Sequence, residues 1–137
     1  MIGVVLLTHA SLGEAFLEAA QQVVGPQSKV ECFSIPNQEE IESRRDELLQ
    51  AISRVNSGEG VIIVTDMFGG LSSHLAMSVL SMPRIEVISG MNLPMLIKLL
   101  SKRAELPLAE CAYAAQEAGR KYISLATHIL EPQKKVG

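Results

Sequence analysis

Two short apolar runs, each ending abruptly in polar residues, do most to limit the folds open to this chain. Ile2-Gly-Val-Val-Leu-Leu7 stops at Thr8 and His9, and Gly60-Val-Ile-Ile-Val-Thr65 stops at Asp66. Neither run alternates apolar with polar residues, so neither keeps a wet face. Runs of this kind read as strands buried on both sides within a parallel sheet, each feeding a turn into a helix. The helical pattern after the first is clear: Leu12, Ala15, Phe16, Ala19, Ala20 and Val23 share a face until Gly25-Pro26 stops it. Val30 to Ile35 alternates like an outer strand with one face partly wet. Pro36-Asn37 opens a helix carrying Ile41, Leu48, Ile52 and Val55 on one side, and its charges, with Glu40 and Arg44 paired at i,i+4, form a solvated surface.

The alternation continues. A short helix is expected from about Ser72 to Leu80, a fourth strand from Ile85 to Ser89, and a helix through Leu93, Leu96, Ile97 and Leu100 with Pro94 in its first turn. Another helix runs from Pro107 through Ala118, and Tyr122 to Leu130 reads either as its continuation past Gly119 or as a late strand. Strands separated by helices imply right-handed crossovers and a doubly wound, mainly parallel four-stranded sheet with helices on both faces. In the flavodoxin-like order 2-1-3-4, strands one and three are neighbours. His9 and Asp66 then stand on adjacent loops at the carboxyl edge, where open α/β sheets collect ligands and chemistry.

Three features would converge at that edge. His9 carries a nucleophilic nitrogen when neutral. Asp66 can accept its Nδ1 proton and leave Nε2 free, the tautomer-fixing logic of hydrolytic triads. Gly69-Gly70-Leu71-Ser72 combines glycines, which allow close backbone approach, with a helix start whose free N–H groups favour an anion. A nucleophile, its orienter and an oxyanion cradle are what a transient phosphohistidine requires, since phosphoryl transfer asks mainly for positioning and charge stabilisation. Each element also has a plainer reading. A histidine after a strand can be an ordinary loop or core residue, Asp66 a helix cap or turn former, and the Gly-Gly pair only a tight turn. Thr8 lends its hydroxyl to the site or merely to the turn. Met67 and Phe68 face a docking protein or fill the core. His74 either reaches the site or sits on the surface, and His128 is structural or exposed.

Composition narrows the class. A chain of 137 residues, 47% hydrophobic and 20% charged, makes one globular domain, here residues 1–130, with 131–137 as a loose tail. A net charge of -3 argues against nucleic acid as partner. No apolar run approaches the ~20 residues of a membrane span, and the start lacks the basic region and cleavage site of a secretory signal, so a cytoplasmic protein is expected. Cys32 and Cys111 lie far apart without metal-ligand spacing and are expected as buried thiols rather than a disulfide. Zinc-ligand spacing, a lysine-bearing phosphate loop, a dinucleotide-binding glycine motif and a nucleophile elbow are all missing.

Through Leu7-Thr8-His9, Asp66-Met67-Phe68-Gly69-Gly70 and Val87-Ile88-Ser89-Gly90-Met91-Asn92-Leu93-Pro94-Met95-Leu96, the chain resembles the mannose-family enzyme IIA component of the bacterial phosphotransferase system (PTS). The likeness extends over nearly the whole chain in order and spacing. It implies a homodimer that accepts phosphate from the small carrier HPr and passes it to a IIB-type partner. It also implies that His9 is the phosphorylated residue and Asp66 its orienter, with no metal or organic cofactor, because the donor is already activated. Two positions depart from the family pattern: Leu71 replaces a usual Ser or Thr, leaving Ser72 or Ser73 to substitute, and His74 replaces a common Asn. A phosphocarrier for sugar uptake, associated peripherally with a membrane transporter, is expected. No fused IIB domain is expected after the last helix, which fits a stand-alone relay, including one that serves regulation rather than sugar uptake. The alternatives are a regulatory PTS protein whose His9 phosphorylation controls a partner, and a small-ligand or flavin binder at the same edge.

Overall fold

The apolar runs are the two central strands. In a computed structural model that describes residues 1–35, 41–67 and 71–130, the side chains at 41–43 and 71–73 excepted, β1 (Gly3–Thr8) and β3 (Val61–Thr65) are buried at every position. They pair with each other and are flanked by β2 (Val30–Ser34) and β4 (Ile85–Ser89) in the order β2-β1-β3-β4, all parallel. The sheet is thus the doubly wound one expected. β2 is an outer strand in which only Phe33 is buried, matching its alternating sequence. Successive side chains go to opposite faces of the sheet. Val4, Leu6, Ile62 and Val64 meet α1 (Leu12–Val24), α4 (Leu93–Lys102) and α5 (Leu108–Lys121), whereas Val5, Leu7 and Ile63 meet α2 (Ile41–Val55) and α3 (Leu71–Met77). Gly3 interrupts the first run for a packing reason: a Cβ there would lie 2.3 Å from the Val55 carbonyl oxygen at the end of α2.

Some boundaries move. The expected opening of α2 at Pro36-Asn37, and the Glu40 partner of Arg44, lie outside the described residues; Arg44 pairs with Glu47 at 2.8 Å. α3 ends a turn earlier than expected, and the chain tightens into i→i−3 bonds at Val79, Leu80 and Met82 before Pro83. Tyr122 to Leu130 is neither a continuous helix nor a strand. α5 stops at Lys121, Tyr122 takes a turn conformation (φ -94°, ψ 9°), and a short α6 follows (Ala126–Leu130). Residues 121–130 are all exposed, so within this chain the segment gains no burial that would draw it into the sheet. Both cysteines are free, Cys111 buried and Cys32 half-buried, and burial pushes each thiol up to about 11, which keeps them protonated and inert.

The string that carries most of the family likeness builds a joint. Asn92 caps α4, its Oδ1 accepting the Met95 N–H at 3.0 Å, while its Nδ2 donates to the Gly119 carbonyl of α5 at 2.9 Å. Pro94 occupies the first turn, and Met95 and Leu96 are buried beneath it. Gly119 packs close against α4, since a Cβ there would lie 3.3 Å from Met95 Cβ and 3.4 Å from Asn92 Oδ1.

At the opposite edge, Arg103 closes the fold. Its side chain is 1% exposed and lies under the starts of β1 and β2. Nη1 donates to the carbonyls of Ile2 (3.2 Å) and Lys29 (3.1 Å), and Nη2 to Gln27 Oε1 (2.9 Å) and the Ser28 carbonyl. Arg103→Met keeps the volume but leaves those acceptors unpaired. We expect it to cost roughly 2–4 kcal/mol, read from the urea midpoint, given about 1–3 kcal/mol for each buried group left unsatisfied and partial rehydration. A loss below ~0.5 kcal/mol, within the range of an ordinary surface substitution, would mean that water replaces the guanidinium.

Candidate functional site

The parallel register sets Leu7 beside Thr65, so the turns after β1 and β3 leave the sheet side by side. His9 and Asp66 meet there. The His9 backbone N–H donates to Asp66 Oδ2 at 2.8 Å, and the ring Nδ1 lies 2.8 Å from the same oxygen. The other carboxylate oxygen accepts the Met67 N–H at 2.9 Å. The Asp66 side chain is 10% exposed and the imidazole 56%. Burial alone would push the Asp66 carboxyl up, but the backbone and ring bonds from His9, its charge and the Met67 N–H outweigh burial and hold it below the usual carboxylate range. Asp66 is therefore ionised near neutrality and can only accept, so in a neutral imidazole the proton sits on Nδ1 and the lone pair on Nε2. Among the described residues Nε2 has no hydrogen-bond partner.

The turn carrying His9 is held from below and from the side. Thr8 is 1% exposed, and its Oγ1 accepts the Gly13 N–H at 2.8 Å. The hydroxyl thus satisfies a free amide at the start of α1, where Ser11 forms no side-chain cap, and the geometry matches the turn reading of Thr8. Ala10 has φ +48°, a left-handed conformation that costs a non-glycine residue roughly 1–2 kcal/mol. Its carbonyl accepts the Ser34 hydroxyl at 2.8 Å, the Ile35 N–H donates to the Thr8 carbonyl at 2.8 Å, and the Leu12 N–H donates to the His9 carbonyl at 3.2 Å. Ser34 and Ala10 were not distinguished by the sequence pattern. The available signal was a polar residue ending an outer strand at the same edge as His9.

The other expected residues separate into groups. Phe68, Gly69 and Gly70 lie outside the described residues, and Leu71 and Ser72 open α3. Leu12 and Met67, adjacent in sequence to the site turns, are 41% and 55% exposed. His74 on α3 and His128 on α6 are exposed, and among the described residues neither is hydrogen-bonded to His9 or Asp66. A groove of about 550 Å³ lies elsewhere. It follows the outer edge of β4 between Glu86, Gly90, Tyr113, Gln116, Arg120 and Ile123.

The fold is a doubly wound α/β sheet that carries a histidine held by a carboxylate at its carboxyl edge. The chain belongs to the mannose-type IIA components of the bacterial phosphotransferase system: the family model described as the PTS system fructose IIA component matches residues 3–116. The mannose-specific EIIAB component of Escherichia coli K12 is 29% identical over 122 residues, covering 88% of this chain but 38% of that protein. The fructose-specific EIIA component of Bacillus subtilis is 24% identical over 135 residues, covering 98% of this chain and 92% of that one. Among solved structures, component EIIA from Streptococcus agalactiae superposes with a TM-score of 0.82 at 18% identity, covering 93% of this chain and 98% of its own, a likeness of fold. Among the described residues no helix is long and apolar enough to cross a membrane.

Proposed function

We propose that this chain is a phosphoryl carrier in which Nε2 of His9 takes phosphate from phospho-HPr and gives it to a IIB-type protein for sugar uptake. The observation that carries this reading is the double grip of Asp66 Oδ2 on the His9 backbone N–H and ring Nδ1, each at 2.8 Å. Nε2 attacks the phosphorus in line, a new N–P bond forms there, and the donor histidine's N–P bond breaks. Nδ1 keeps its proton, and Asp66 offsets the positive charge that builds on the ring. The donor is already activated, so the step calls for no metal or organic cofactor. Asp66 also repels the incoming phosphoryl oxygens, and the backbone amides of Gly69, Gly70, Leu71 and Ser72 are assigned the task of offsetting that repulsion. Exposed Leu12 and Met67, with Phe68, would meet the partner proteins. The relay places the chain in the cytoplasm, beside a membrane transporter.

Incubation with phosphoenolpyruvate, enzyme I and HPr tests the reading. The expected product carries one acid-labile phosphoryl group per chain, mapped to the His9 peptide and discharged by a IIB protein. A label elsewhere, or none, overturns it; a label on His9 that IIB proteins do not remove points to regulation of a partner.

The homodimer is also proposed, supported by two observations. β4 is an edge strand with a groove along it that Ile123 also lines, and Ile123 and the residues Leu125, Ile129 and Leu130 that follow it are 60–79% exposed. Sedimentation equilibrium should return twice the chain mass, and Ile123→Asp should shift it toward the monomer. A wild-type monomer at micromolar concentration would end the proposal.

A further inference from the structure

Ser34 has no part in the chemistry above, yet it holds the turn that carries the nucleophile. It ends β2 in register with Thr8, and from there its hydroxyl reaches the Ala10 carbonyl at 2.8 Å. Among the described residues it is the one side chain other than Asp66 that hydrogen-bonds the backbone of residues 9–11. Ala10 is left-handed without being glycine, and such a conformation persists only where its surroundings over-determine it. The left-handed residue turns its carbonyl toward β2, and the Ser34 hydroxyl accounts for that direction.

The consequence falls on His9. Its ring is more than half exposed, so packing contributes little to its orientation. The ring depends on Asp66 and on a backbone fixed at both ends, by the His9 N–H on Asp66 and the Leu12 N–H on the His9 carbonyl. If Ala10 relaxes toward an ordinary right-handed or extended conformation, the peptide after His9 rotates and the Nδ1 contact is strained.

We propose that Ser34 is a positioning residue for phosphoryl transfer, its hydroxyl holding the left-handed turn at Ala10 that seats the His9 ring on Asp66. The proposal rests on the relay reading of His9. The Ala10 carbonyl is exposed enough for water to replace the lost donor, so removing the hydroxyl affects the order of the turn more than global stability.

The test compares wild type, Ser34→Ala and Ser34→Thr as full chains. The ¹⁵N shifts of the His9 ring are recorded without phosphate, and uptake rates are measured from phospho-HPr. In wild type the ring nitrogens should be well separated, as one tautomer requires. In Ser34→Ala they should move toward each other, kcat for uptake should fall roughly tenfold, as a sub-ångström misplacement implies, and KM should stay within about twofold. Ser34→Thr, which keeps the hydroxyl, should restore both. Wild-type ring shifts in Ser34→Ala overturn the proposal whatever the rate does, as does failure of Ser34→Thr to rescue. The ring shifts need no phosphorylation, so a wild type that takes up no phosphate sinks the relay reading while the positioning of His9 remains measured.

Discussion

A His9→Ala protein is expected to take up no acid-labile phosphate from phospho-HPr while keeping its fold. The imidazole is 56% exposed, and its one described bond runs to Asp66. A hydrogen bond to a charged partner is worth roughly 1.5–3 kcal/mol when sheltered. Here water can replace the ring, and Asp66 keeps the backbone N–H groups of residue 9 and Met67, which alanine leaves in place. The stability loss should therefore be nearer ~1 kcal/mol, a shift of about 3–6 °C in Tm for a domain of this size. Loss of all labelling with a nearly unchanged Tm separates a missing nucleophile from a damaged fold. The chain has three histidines, and both others are exposed. Labelling that persists in His9→Ala but disappears in His9→Ala/His74→Ala would move the acceptor to α3 and refute the assignment to His9.

The sequence made the central sheet legible because burial on both faces leaves an unbroken apolar run, and the end of each run marks where the chain leaves the core. Those two endpoints placed His9 and Asp66 at one edge once β1 and β3 were neighbours. The remaining features are relations between distant segments, which periodicity does not encode. Arg103 looks like a basic residue at a helix end and is in fact a buried clamp on four acceptors from Ile2 and from 27–29. Asn92 looks like part of a functional motif, and its side chain joins α4 to Gly119 twenty-seven residues away. Ser34 looks like one more strand residue and reaches Ala10 only because β2 lies beside β1. The segment 122–130 was illegible for a different reason. Its apolar residues all remain mostly exposed, and a pattern that buries no face locally does not select helix over strand.

Asp66→Asn is expected to slow phosphoryl uptake by about 10²–10⁴-fold, the range seen when a tautomer-fixing carboxylate is lost, with KM for the donor changed only a few-fold. The asparagine has the same shape, so the effect comes from hydrogen-bond polarity. In the native site one oxygen accepts both His9 N–H groups and the other accepts the Met67 N–H, three donors in all. An amide offers one oxygen and one NH₂. If the oxygen faces His9, the NH₂ opposes the Met67 N–H, and the ring keeps its tautomer but loses the charge that stabilises it during attack. If the amide is turned over, its NH₂ opposes the His9 backbone N–H and donates to Nδ1. That puts the ring proton on Nε2, the atom proposed to attack. Neither orientation restores the nucleophile. The acid limb of stability gives an independent check. Asp66 is held below the usual carboxylate range, so its contribution is complete above that range and is lost as pH falls through its lowered value. The stability gap between wild type and Asp66→Asn should therefore be widest near neutrality and narrow in strong acid, where the protonated aspartic acid resembles the amide. A variant with wild-type kcat and a constant gap would reduce Asp66 to a turn residue and leave Nε2 without an orienter.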